Sequence, residues 1–475
     1  MKTSSSPLNR TLSRRVFLRQ TAAALAVPMI APASVFGADG TVAPSNRVAL
    51  GFIGTGRQAV YANIPGFLHE PDAQGVAVCD VDSWRLENAR KQVDAYYASQ
   101  RPSGTFKGCA TFRDWRELLA RKDIDAVMIS TPDHWHVPMA RAAAKAGKDI
   151  ACEKPLTRSI AEGRQLADLV AREKRVFRTD SEFRSRVLPF NRAAQWVRNG
   201  KIGRLQTITV STPKDTALPA QPAMPVPAEL DYEMWLGPAP EAPYTEKRVH
   251  PRHDTKGRPG WICIRDYADG MIANWGAHLF DIAMLANDTE RTGPVEIQGR
   301  GQYPPPGSLW NVILEFEVEY RFANGVRLIA KTDKPAIRFE GTEGWIQINY
   351  PDEVTAQPES LMRWKPGPND VVLSAKSNEK RDFLDAVAAR GATQVDAEVG
   401  HRTMTLAHLG LLAIDLGRTL KWDPVKEQVV GDAEANQRLE PKPRRAVDNL
   451  KSAKASWMPP SKCLRLIGKK MAGKK

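Results

Sequence analysis

Val48-Ala-Leu-Gly-Phe-Ile53, followed at once by Gly54-Thr55-Gly56-Arg57-Gln58-Ala59, is the stretch whose reading decides the fold. An apolar strand runs directly into the pattern G-x-G-x-x-A. Gly54 allows the tight turn, Gly56 lets the backbone approach a pyrophosphate, and Ala59 lets the next helix pack close to the strand. The free N–H groups that open such a helix favour phosphate. The second apolar run, 76–79, ends at Asp80, 26 positions after Gly54. A carboxylate there can accept hydrogen bonds from both ribose hydroxyls and would repel a 2′-phosphate, which favours NAD; Arg85 nearby keeps NADP possible.

Outward from this stretch the pattern alternates. Further apolar runs at 126–130 and 149–152 read as strands, and 84–98 and 138–146 read as helices, the second capped by Gly147. Such alternation implies a parallel sheet covered on both faces. After residue 180 the pattern changes. A helix is expected at 188–198 and a strand at 205–211. The proline-rich run 213–243 reads as a long surface connection. Strands at 312–322, 325–332 and 345–350 suggest a mostly antiparallel sheet, with Asn324-Gly325 as a hairpin turn, and helices follow at 381–390 and 402–420. The expected chain is therefore α/β: a Rossmann domain over 39–180, then an α+β domain over 181–440 built on a mostly antiparallel sheet.

A chain of 475 residues with 42% hydrophobic and 26% charged residues is an ordinary globular protein, too long for a single core. Its net charge of +14 sits at the ends. Residues 1–38 hold five basic residues and no acid, and 442–475 hold eleven basic and one acidic, leaving 52 basic against 53 acidic residues between them. A nearly neutral body excludes a basic sheath for nucleic acid. Ser13-Arg14-Arg15-Val16-Phe17-Leu18 is a twin-arginine pattern, and the apolar run 21–30 after it is too short to span a bilayer. Segment 1–38 thus reads as a signal for twin-arginine export to the periplasm, with no stable membrane span; a noncleaved anchor is the alternative. That route moves folded proteins, which suits a chain that must acquire its nucleotide in the cytoplasm. The basic tail 441–475 reads as poorly ordered, with an anionic membrane surface as a possible contact. Five cysteines without paired spacing form neither a disulfide framework nor a zinc site, and His134 and His136 have no matching ligand cluster, so no metal is expected.

Two later motifs carry chemistry. Ser130-Thr131-Pro132-Asp133-His134-Trp135-His136 follows the third strand, at the carboxyl end of the sheet where ligands bind. Glu153-Lys154-Pro155 follows the fourth and delivers a lysine to the same mouth, where it could hydrogen-bond a substrate oxygen and stabilise developing alkoxide charge.

With Gly51-Phe-Ile-Gly-Thr-Gly56, Thr131-Pro132 with His136, Ala146-Gly147-Lys148, Glu153-Lys154-Pro155, Asn199-Gly200-Lys201-Ile202-Gly203, Trp275-Gly276-Ala277-His278-Leu279-Phe280-Asp281 and Gly341-Thr342-Glu343-Gly344, the chain resembles the Gfo/Idh/MocA family over roughly 46–440. The resemblance implies a Rossmann domain, a second domain with a large open sheet that often packs in homo-oligomers, NAD or NADP as cofactor, and a sugar or cyclic polyol as substrate. It carries the catalytic lysine onto Lys154, often before a cis proline, and the catalytic histidine onto His278. Asn274 stands where many members have aspartate; it can hold a substrate hydroxyl but cannot ionise. The cofactor set is then Gly54, Gly56, Arg57, Gln58, Asp80, Thr131, Pro132, His136, Glu153 and Lys154. Arg184, Arg186, Trp275 and Asp281 are candidate substrate contacts, Asp281 also as a group that orients a neighbour. His278 would act as general base. His250 and His253 either line a polyol pocket or lie in a plain loop, and His401 and His408 read as packing or surface residues.

Three functions stay open: an exported NAD(P)-dependent oxidoreductase of a sugar or cyclitol, inositol dehydrogenase-like; an NAD-dependent glycosidase that oxidises, eliminates, adds water and reduces; and a non-catalytic sugar-binding protein that keeps the cofactor.

Overall fold

In the computed structural model the described residues are 46–100, 108–185, 188–374 and 376–440. The expected export segment, Arg186, Cys463 and the basic tail lie outside them. Strands β1 (Val48–Ile53), β2 (Ala73–Cys79), β3 (Ala110–Phe112), β4 (Ala126–Ile129), β5 (Asp149–Cys152) and β6 (Phe177–Thr179) form one sheet in the order β3-β2-β1-β4-β5-β6. Every pairing in it is parallel. The sheet is covered on both faces, and β4 shows why its sequence is apolar throughout. Val127 and Ile129 join one core with Leu118, Met139 and Leu166, while Ala126 and Met128 join another with Ile64, Phe67 and Leu86. The strand order reverses between β1 and β4, so the loops after Ile53 and Ile129 part there and open a crevice at the carboxyl edge.

The second core is completed from far along the chain. Phe383 and Leu384, on helix Glu379–Ala389, join it, and the Phe383 ring meets Phe67 edge-on at 6.1 Å. Asn378 starts that helix, its side chain accepting the Arg381 N–H at 2.7 Å.

The other sheet has nine strands: β7 (Leu205–Thr212), β8 (Glu296–Gln302), β9 (Glu315–Arg321), β10 (Arg327–Thr332), β11 (Ala336–Gly341), β12 (Trp345–Asn349), β13 (Glu353–Gln357), β14 (Leu420–Asp423) and β15 (Gln428–Val429). Their order is β13-β12-β11-β7-β10-β9-β8-β14-β15, antiparallel except where β7 meets β10. Alternation sets its faces. Ile208, Val210, Leu328, Ala330, Ile337, Phe339, Ile346 and Ile348 point into a core shared with Leu279 and Phe280 of helix Gly276–Ala286 and Leu406 and Leu409 of helix Ala397–Leu416. The turn expected at Asn324-Gly325 joins β9 to β10, with Gly325 at φ +86°. Strand β8 escapes pattern reading because only Ile297 in Glu-Ile-Gln-Gly-Arg-Gly-Gln is buried.

The run 213–243 is more than a surface connection. Leu230, Trp235, Leu236, Ala239 and Tyr244 form a small core with Val249, Ile264, Tyr267 and Leu309. The carbonyl of Trp235 accepts the Trp135 indole N–H at 3.0 Å and lies 3.1 Å from His134 Nε2, which ties this arm to the loop after β4.

Away from the crevice, Glu427 joins helix Ile160–Arg172 to helix Ala397–Leu416. Its carboxylate meets Arg164 at 2.9 Å, Arg402 at 2.9 Å and the buried His401 ring at 2.9 Å. Burial raises its pKa, but His401, Arg164 and Arg402 outweigh burial and hold it down to about 2. A carboxylate depressed in the folded state stabilises the fold above its unfolded pKa of about 4.3 and stops doing so as pH falls through the folded value. Glu427→Gln should therefore lower Tm fully above about pH 5, and the deficit should shrink as pH falls toward about 2. Thermal unfolding across that range checks it; a pH-independent deficit would indicate lost packing alone.

Candidate functional site

A long cleft of about 1490 Å³, open to solvent at its mouth, runs along the carboxyl edge of the parallel sheet. Gly54, Gly56, Arg57, Gln58, Asp80, Thr131, Pro132, Glu153, Lys154, Asn274 and Trp275 line it, so the cleft gathers most of the residues singled out in the sequence. Gly54 sits at φ +83°, and a Cβ there would lie 2.7 Å from the Ser130 carbonyl carbon. Only glycine permits this turn and the close approach of the β4 loop. A Cβ on Gly56 would meet no protein atom within 4 Å and would project into open space. That open cradle beside a glycine fits a dinucleotide pyrophosphate.

At one end, Asp80 Oδ2 accepts the Thr55 N–H at 2.7 Å and the Thr55 hydroxyl at 2.9 Å, while Oδ1 accepts the Asp82 N–H at 2.9 Å. The glycine turn is thereby pinned to the end of β2. Across this end lies a strap, residues 246–262, from beyond the second sheet's first strand. Arg85, 4% exposed, donates to the carbonyls of Pro251 at 3.0 Å and Asp254 at 2.7 Å. His250 Nε2 lies 3.1 Å from Asp82 Oδ2, and Arg57 Nε donates to Lys256 O at 3.1 Å. Arg85 Nη2 is thus committed to the strap. Hydrogen bonds to charged groups contribute about 1.5–3 kcal/mol each. Arg85→Ala should loosen the strap and speed release of the nucleotide by about tenfold or more, read as the dissociation rate of bound NAD after dilution; an unchanged rate would show that the strap does not gate release.

At the other end, Lys154 follows β5, and its peptide bond to Pro155 is cis. Its Nζ lies 3.4 Å from Asn274 Oδ1 and 3.5 Å from the Asn274 carbonyl oxygen. Asn274 ends helix Met271–Asn274, and Trp275 follows it in the cleft wall. Behind Lys154 is a buried polar network that sequence reading missed. Asn63 Nδ2 donates to Glu153 Oε1 at 2.9 Å and to Ser130 Oγ at 2.8 Å. Lys380 Nζ, 3% exposed, reaches Asn63 Oδ1 at 2.8 Å and Asp180 Oδ2 at 2.6 Å. Burial pushes Glu153 up to about 7, Asp180 adds to this, and Lys154 and Lys380 oppose it. No local signal marks Lys380, which lies 226 positions after Lys154.

Several residues fall elsewhere than expected. His278 is 8% exposed and is not part of the cleft lining. Its ring stacks on Phe183 at 4.7 Å, and Nδ1 lies 3.2 Å from Ser181 Oγ. Burial first, then Lys154, pushes its pKa well below the usual value, so the ring is neutral and its protonation costly. His136 does not line the cleft either. It is 1% exposed, with Nδ1 2.7 Å from Pro155 O and Nε2 2.9 Å from Thr131 O, so it locks the loops after β4 and β5 together. Arg184 and Asp281, expected near substrate, are spent on each other: Nε to Oδ2 is 2.8 Å and Nη2 to Oδ1 is 2.5 Å. Neither lines the cleft. His250 lines its strap end, and His253 is exposed against Trp84. His401 and His408 are packing residues, the latter 3.0 Å from Thr157 Oγ1. Among the described residues no three His, Cys, Asp or Glu are placed to hold a metal ion, and no helix is long and apolar enough to cross a membrane.

Comparison with known proteins agrees with this architecture. The oxidoreductase family's NAD-binding Rossmann fold matches residues 48–181, and its C-terminal alpha/beta domain matches 215–449. A stretch of 134 residues is 37% identical to glycosyl hydrolase family 109 protein 2 of Shewanella sp. strain ANA-3, covering 27% of each chain. A stretch of 138 residues is 33% identical to the glycosyl hydrolase family 109 protein of Shewanella baltica strain OS155, covering 29% of each. The chain thus spans under a third of the length of these curated relatives. Among solved structures, aldose-aldose oxidoreductase from Caulobacter crescentus, complexed with glycerol, is 17% identical with a TM-score of 0.56, over 79% of this chain and 99% of that one. Levoglucosan dehydrogenase in complex with NADH and levoglucosan is 19% identical with a TM-score of 0.55, over 79% and 99%. At such identities the likeness is one of fold. The two matched domains, one carrying the glycine turn and the other the nine-stranded sheet, make this chain a member of the Gfo/Idh/MocA family of oxidoreductases, with an NAD-binding Rossmann domain.

Proposed function

We propose that this protein is an NAD-dependent oxidoreductase acting on a CH–OH group of a sugar or cyclic polyol. The observation that carries the reading is Lys154 beside Asn274, in the same cleft as the Gly54–Gly56 turn. Bound nicotinamide would supply a hydride acceptor there. Lys154 donates a hydrogen bond to the reacting oxygen and stabilises charge as it develops; the Asn274 amide orients the lysine and can hold a neighbouring hydroxyl. The Trp275 and Trp261 rings in the cleft wall offer apolar faces to a sugar ring. Inositol-like cyclitols belong to the proposed substrate class, and the twin-arginine pattern supports export to the periplasm. The open sheet is the expected surface for homo-oligomers.

A second reading is an NAD-dependent glycosidase working by transient oxidation. It is favoured by the 37% identity to a glycosyl hydrolase family 109 protein and by the strap, which suits a cofactor recycled without leaving. Retention of cofactor by a non-catalytic sugar-binding protein is the third, favoured by Asn274. The test is to purify the exported protein, release and identify its nucleotide, and screen polyols, aldoses and aryl glycosides. Net nicotinamide reduction supports the oxidoreductase, and glycoside cleavage without net reduction supports the hydrolase. Sugar binding without either would overturn both enzymatic readings.

A further inference from the structure

We propose that Asp133 is a catalytic residue: its carboxylate takes the proton of the substrate hydroxyl while the adjacent C–H hydrogen leaves as hydride to the nicotinamide, and it returns that proton in the reverse reaction. This rests on the oxidoreductase reading above. The step balances. The C–H bond breaks with its electron pair going to the oxidised nicotinamide, the O–H bond breaks with its proton going to Asp133, and the carbon–oxygen double bond forms.

Asn274 cannot accept a proton, and His278 is buried, held well below its usual pKa by burial and Lys154 and so a weak base, and outside the cleft lining. Lys154, when charged, can stabilise an alkoxide but has no free pair to take the proton. Of the carboxylates in the cleft, Asp80 is held by Thr55 at the far end, and Glu153 is held by Asn63 and by the Lys154 N–H at 3.2 Å. Asp133 remains. It opens the turn Asp133–Trp135 after β4, is 4% exposed, and lines the cleft together with Lys154, Glu153 and Asn274. Among the described residues no donor holds its carboxylate. The neighbouring imidazoles turn elsewhere, His134 to Trp235 O and His136 to Thr131 O and Pro155 O.

A buried carboxyl that faces a cleft and lacks a protein donor is costly unless it meets a ligand or a proton. The charged groups that act on it are Arg158, Lys154, Asp269 and Glu153. Arg158 is committed to Asp269 at 2.8 Å and to the carbonyl of Arg265, so it tempers the field at Asp133 without capturing it. Burial pushes Asp133 up to about 8 despite the pull of Arg158 and Lys154, with Asp269 and Glu153 adding to the rise. A group that gains and loses its proton near neutrality suits acid–base work in both directions.

The test is Asp133→Asn in the nucleotide-loaded full chain, a substitution of nearly equal shape. Bound NAD should be retained, while kcat on a responsive sugar should fall about 10²–10⁴-fold and lose its ionisation near neutral pH. An infrared titration of the same two proteins without sugar should show, in the wild-type minus variant difference, a protonated-carboxyl band that fades as pH rises; Glu153, also raised, is present in both proteins. A kcat within about threefold of wild type with an unchanged pH profile would overturn the assignment, and so would a difference spectrum without that band. Wild-type protein inert toward every sugar would sink the oxidoreductase reading instead; the infrared comparison, which needs no substrate, would then decide Asp133, a band in the difference supporting the poised carboxyl and its absence refuting it.

Discussion

Lys154→Ala is expected to leave the nucleotide bound and to lower kcat by about 10²–10³-fold, the usual effect of removing one donor aimed at a developing oxyanion. The separation of binding from turnover follows from the geometry. The turn at Gly54 and Gly56 is held by Asp80 and Thr55, and the strap is held by Arg85, so neither depends on Lys154. Lys154 instead faces Asn274 across the cleft. Its orientation is fixed from behind by Glu153, Asn63 and Lys380. Lys154→Arg should not rescue turnover, because a planar guanidinium cannot reproduce a point ammonium in that corner. The checks are nucleotide content by mass and kcat on a responsive sugar. Turnover like wild type in Lys154→Ala would remove the lysine from the mechanism.

Arg184→Leu should destabilise the fold by about 3–5 kcal/mol, the cost of breaking a buried ion pair and leaving one charge behind. Arg184 is 4% exposed and Asp281 fully buried, and Arg184 also reaches Glu290 and the carbonyl of Gln394 at 2.9 Å. Burial raises the Asp281 pKa even with Arg184 opposing it, so the carboxylate depends on its partner. Since neither residue lines the cleft, folded Arg184→Leu should bind sugar with the affinity of wild type. Tm and sugar affinity measured together distinguish this from a substrate contact, for which affinity would fall and Tm would hold.

The fold was legible where one physical rule dominated a segment. The run 126–129 is buried on both faces, so its unbroken apolar character marked a central parallel strand, and Asn324-Gly325 marked its hairpin because Gly325 readily takes the positive φ that closes the turn. Strands β8, β13 and β15 were illegible for the opposite reason: β8 and β15 bury one residue each and β13 none, leaving no period to read. The run 213–243 looked like a loop because its apolar residues follow neither a period of 2 nor one of 3.6, although Trp235 and Leu236 are buried. For the site, local motifs found the glycine turn, Asp80 and Lys154, whose roles depend on their place at strand ends. They did not find Asn63 or Lys380, which meet only after helix Glu379–Ala389 folds back onto the first sheet. Nor could spacing tell that His278 is shut behind Phe183, or that Arg184 and Asp281 satisfy each other.

The most direct test of the central claim is a single-turnover measurement. Purified nucleotide-loaded protein is mixed with polyols and aldoses, and the absorbance of reduced nicotinamide is followed in wild type and Lys154→Ala. The account expects reduction of bound nicotinamide by at least one sugar in wild type, slowed by about 10²–10³-fold in the variant. Sugar that binds wild type without reducing any nicotinamide, or equal rates in the two proteins, would contradict it.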